Sequence, residues 1–63
     1  MTEFDRIAKR LWFGDRQAIQ MVDALTKHDR MHVEQRILSL YGVSINLFGS
    51  IGDIQTSIEL AKA

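Results

Sequence analysis

The strongest constraint on this chain is an apolar repeat in its second half. Val33, Ile37, Leu40, Ser44, Leu47, Ile51, Ile54, Ile58 and Ala61 are spaced alternately four and three residues apart, and only Ser44 among them is polar. A seven-residue repeat sustained this long is the pattern of helices packed along a seam. Taken alone it predicts one helix from about Arg30 to Lys62. Gly42, Gly49 and Gly52 oppose that reading, since each costs about 1 kcal/mol relative to alanine in a helix interior. Gly42 suits a helix-ending C′ position, with Leu38 and Val43 as the apolar pair of a Schellman ending. Ser44 would then cap a further helix, with Val43 and Phe48 as a hydrophobic staple. Two readings therefore stand, a break at residues 42–43 and a single kinked helix. A third, a short strand over Val43–Leu47, follows from the alternation of Val43, Ile45 and Leu47 with Ser44 and Asn46.

The first half is plainly helical. Phe4, Ile7, Ala8, Leu11 and Trp12 form one stripe of period 3.6, with Arg6, Lys9 and Arg10 on the other side. Thr2 can cap this helix with Asp5 as the reciprocating side chain, and Gly14 can end it. Asp15 can cap a second helix running to about His28, with Ile19, Val22 and Leu25 as its apolar line. Asp29 reads as the next cap, so the chain is expected to turn at residues 28–30. The expected fold is all-α: one domain, residues 1–63, of three or four helices near 2–13, 15–28, 30–41 and 44–62.

Composition narrows the function classes. The chain has 63 residues and neither cysteine nor proline, so disulfides and thiolate metal sites are excluded. Its N-terminal residues are polar and lack the apolar core of a signal peptide, which makes a cytoplasmic location the expectation. Eight basic residues balance eight acidic ones, which disfavours a dedicated polyanion binder. Between Arg36 and Asp53 sixteen residues carry no charge. That is short of the roughly 20 needed to span a bilayer, so no membrane partner is expected. A chain this small buries only about 60 % of its unfolded surface. Self-association is therefore a natural source of further stability.

No catalytic constellation is present. The sequence holds no Ser/His/Asp signature and no phosphate loop, since Gly49-Ser50-Ile51-Gly52 lacks both length and lysine. His28 and His32 stand four apart, a spacing at which two imidazoles on one helix can grip a metal. With Asp29 as a cap they would lie on different elements, so no metal or other cofactor is expected and Zn2+ should not stabilise the fold.

The expected function is that of a non-enzymatic interaction module, a regulator or inhibitor that docks on a larger protein and forms a homo-oligomer. The residues expected to carry it are Phe13, which lies off the first stripe; Leu47, Ile51, Ile54 and Ile58, at or beneath the self-contact; and the basic residues Arg6, Lys9 and Arg10. The competing expectation is a small helix-turn-helix-like DNA-binding regulator that uses that basic face together with Gln35 and Arg36.

Overall fold

Three of the four helices begin at the same local device. Thr2 Oγ1 accepts from the Asp5 N–H while the Asp5 carboxylate accepts from the Thr2 N–H, a reciprocal capping box. Ser50 and Asp53 repeat it. Thr26 accepts from the Asp29 N–H in the same register. The helices are α1 (Glu3–Trp12), α2 (Arg16–Ala24), α3 (Lys27–Tyr41) and α4 (Ile51–Lys62), in a computed structural model that describes residues 2–63. Asp15 caps α2 by accepting from the Gln17 N–H. The fold is all-α, and no strand occurs among the described residues.

Three boundaries differ from the sequence expectation. The second helix ends at Ala24, not near His28, and Leu25 and Thr26 make a two-residue corner. Asp29 is the third residue of α3 and not its cap, because the Thr26 hydroxyl reaches the orphan N–H first. The last helix starts at Ile51 and not at residue 44, so Ser44 caps nothing. The single kinked helix is likewise ruled out. Gly42 takes a left-handed conformation, φ 70°, and its N–H donates to Leu38 O at 2.8 Å. That bond is the simpler αL ending rather than the Schellman pair.

The stretch over residues 43–50 is non-helical but ordered by α3. Its side chains alternate, with Val43, Ile45 and Leu47 turned inward and Ser44 and Asn46 outward, as an extended segment requires. The strand reading therefore had the right periodicity, but side chains replace the partner strand. Glu34 Oε2 accepts from the Leu47 N–H at 2.9 Å. Arg30 Nη1 donates to Leu47 O and Gly49 O, each at 3.3 Å. Arg30 also reaches back to α2, donating to Asp23 O at 2.6 Å and Leu25 O at 3.2 Å. One guanidinium thus satisfies carbonyls on both chain segments that flank α3.

The core draws on every element. Ile7, Ala8 and Leu11 of α1 meet Ala18, Ile19 and Val22 of α2, Val33 and Ile37 of α3, Leu47 of the connection, and Ile54 and Ile58 of α4. Helix α1 packs chiefly on α3, and α4 closes against α2. The far end is pinned by Trp12, which stacks on Tyr41 with ring centres 4.6 Å apart. Lys62 Nζ lies 5.6 Å from the Trp12 ring centre and donates to Trp12 O at 2.8 Å. The accessible surface is 4071 Å2, close to the roughly 4,100 Å2 expected of a monomer of this mass. The chain covers its own core as well as an ordinary small monomer does. No described helix is long and apolar enough to cross a membrane.

Candidate interaction site

An open groove runs between α2 and α4. Two adjoining hollows of about 270 and 230 Å3 share Arg16, Ile19 and Gln55 in their walls. One extends to Gly14, Ile58, Glu59 and Lys62, the other to Gln20 and Ile51. The α4 residues fall at 51, 55, 58, 59 and 62, one face of the helix over three turns. At 1.5 Å per residue this face is about 16 Å long. Its floor is apolar, from Ile19 and Ile58. Its rim carries two amides and charges of both signs. Phe13, the residue before Gly14, stands 76 % exposed beside one end. Ile51 at the other end is 41 % exposed. The groove is thus of mixed polarity, with its exposed apolar side chains at the two ends.

The expected site residues divide sharply. Phe13 and Ile51 are at the surface, as an interaction role requires. Ile58 sits beneath the groove, 4 % exposed. Leu47 and Ile54 are wholly buried in the chain's own core. They cannot touch another molecule while the fold stays closed. The chain folds back through residues 43–50, which divides the heptad line between two helices. Helix α1 packs on the α3 part of the line and α2 on the α4 part.

The basic cluster is also divided. Arg10 Nε donates to Asp15 at 2.8 Å and its Nη2 to Gln17 at 3.1 Å, so it braces the corner between α1 and α2. That contact, with the Gln17 N–H, holds the Asp15 carboxyl below the usual carboxylate range. Arg6 is exposed and Lys9 half-buried, and neither forms an ion pair among the described residues. Arg36 pairs with Asp5 across the α1–α3 contact, and this bond lowers the Asp5 carboxyl against the opposing effect of burial. Of the residues a DNA-reading α3 would present, Arg30 is turned inward and Arg36 is engaged, while His32 and Gln35 remain exposed.

Gln55, Glu59 and Lys62 also line the groove, and no local signal in the sequence marks them. They read as the solvent face of α4, and a groove between two helices depends on their crossing, which no local pattern encodes. Compared with protein-family models, curated proteins and solved structures, the chain matches none.

Proposed function

We propose that this protein is a non-enzymatic interaction module whose α2–α4 groove receives an apolar surface of another protein chain, with a second copy of itself as the first partner to test. The observation that carries the reading is Ile51. It is a large aliphatic residue left 41 % exposed at the mouth of a groove that has Ile19 and Ile58 in its walls. A regulatory or inhibitory role, exerted by docking on a larger protein inside the cell, is the biological form of this proposal.

Sedimentation equilibrium over micromolar to millimolar concentration tests it. The expected result is a reversible dimer that Ile51→Asp dissociates. Ile51 opens α4, where a carboxylate suits the positive helix end, so this variant should keep its helical circular dichroism. A chain that stays at 7.2 kDa throughout, with a concentration-independent melting temperature, would defeat the self-association reading. Tight, salt-sensitive binding to random duplex DNA would favour the helix-turn-helix alternative instead.

A further inference from the structure

Two histidines that the sequence places on separate elements share one helix. Because Thr26 and not Asp29 caps α3, His28 and His32 both lie within its first two turns. At a separation of four they stand one above the other on the same face. Their Nε2 atoms are 3.2 Å apart, and the ring centres are 4.7 Å apart. The nitrogens are closer together than the rings and stand at hydrogen-bond distance, so the two Nε2 edges face each other and an ion would have to replace the proton between them.

That spacing can be set against metal chemistry. Two Zn–N bonds of about 2.0–2.1 Å at a tetrahedral angle hold their nitrogens about 3.3–3.4 Å apart. The pair is within roughly 0.2 Å of that span before any metal arrives. The second ring is also held in place. Phe4 of α1 stacks on His32 with ring centres 5.2 Å apart and planes 10° from parallel. Met31 and Gln35 complete a hollow of about 120 Å3 around the two imidazoles. Both rings are exposed, so an ion need not open the fold to reach them.

We propose that His28 and His32 form a bidentate site for a borderline divalent transition ion of the Zn2+ and Cu2+ class. No group of three or more His, Cys, Asp or Glu side chains gathers among the described residues. Two protein nitrogens therefore leave the remaining coordination positions to water. Imidazole ligands select against Mg2+, which takes oxygen donors, and Cu2+ should bind more tightly than Zn2+. Each bound Nε2 must shed any proton it carries, so affinity falls in acid.

The test is thermal melting of the full chain with Zn2+, Cu2+ or Mg2+ chloride. Saturating Zn2+ should raise the melting temperature by about 5 °C or more, since an ion that binds only the native state stabilises it. EDTA should reverse the rise, and Mg2+ should give none. His28→Ala alters an exposed side chain and should abolish the rise with the fold intact. His32→Phe keeps a ring to stack on Phe4 while deleting the nitrogens, and should abolish it too. No rise with Zn2+ or Cu2+ in the parent protein, or an undiminished rise in His28→Ala, would overturn the proposal.

Discussion

Arg30→Ala is the substitution that most directly tests how the fold closes. The Arg30 side chain is 14 % exposed and makes four bonds to backbone carbonyls, at Asp23, Leu25, Leu47 and Gly49. A bond from a charged donor contributes about 1.5–3 kcal/mol. The carbonyls of Asp23 and Gly49 lie at the surface, and water would replace the lost donor there. Those of Leu25 and Leu47 are partly buried and would lose more. Taking the lower figure for each of these two gives a cost of about 3 kcal/mol. A chain of this size rarely has more than about 3–5 kcal/mol in all. Arg30→Ala should therefore melt at least about 10 °C below the parent, followed by far-UV circular dichroism. Arg36→Ala removes a more exposed guanidinium and should cost clearly less. Glu34→Ala removes the acceptor for the Leu47 N–H, so it should couple to Arg30→Ala in a double-mutant cycle, because both act on one segment. An Arg30→Ala variant no less stable than Arg36→Ala would show that residues 43–50 hold their place without the clamp.

Two further expectations rest on single contacts. The Asp5 and Asp15 carboxyls are held below their unfolded values by Arg36 and Arg10; their contribution is therefore full above the ordinary carboxylate range and lost as pH falls through the depressed folded values. The melting-temperature gap between the parent and Arg36→Gln should close towards pH 2, and a gap that persists there would refute the ion-pair account. Among the glycines the sign should change with place: Gly49→Ala, at φ 108° with its new Cβ 2.6 Å from Asp53 Oδ2, should destabilise most. Gly42→Ala, at φ 70° in open space, should cost about 1–2 kcal/mol, and Gly52→Ala, helical and meeting only Ser50 Oγ at 3.8 Å, should stabilise by up to about 1 kcal/mol in thermal denaturation.

The helical class and both first-half stripes were legible because they rest on period and on local caps. The corner at Leu25–Thr26 was equally local and was misread. Thr26-Lys27-His28-Asp29 has the same form as Thr2-Glu3-Phe4-Asp5 and Ser50-Ile51-Gly52-Asp53, and all three begin helices. Reading Asp29 as a cap instead of as the third helical residue shifted the boundary by several residues. It also separated two histidines that the fold brings to 3.2 Å. The candidate groove was less accessible. Ile51 and Ile58 could be marked as apolar, but that one ends exposed and the other covered depends on where α2 lies. Arg30 and Glu34, four apart on α3, look like a solvated charge pair until residues 43–50 pass over them.

The heptad line itself shows why a correct pattern can support a wrong shape. A seam of apolar residues records that helical faces are to be covered, not which chain covers them. Val33 and Ile37 are buried in α3, and Ile54 and Ile58 in α4, each pair four residues apart. Leu40 and Ile51, each three residues from the nearer pair, are exposed. The seam thus lapses on both sides of the connection. Gly42 and Gly49, both at positive φ, bracket the non-helical segment and end helical geometry there. Only Leu47 keeps the register inward, held at its N–H and its carbonyl by Glu34 and Arg30. The result is two short helical seams folded onto one core where the repeat suggested one long seam awaiting a partner. The large apolar side chains left open are scattered, with Ile51 at the mouth of the α2–α4 groove and the Phe13 ring, Leu38 and Leu60 standing more exposed still; an association that runs through the groove should be abolished by one charge at Ile51.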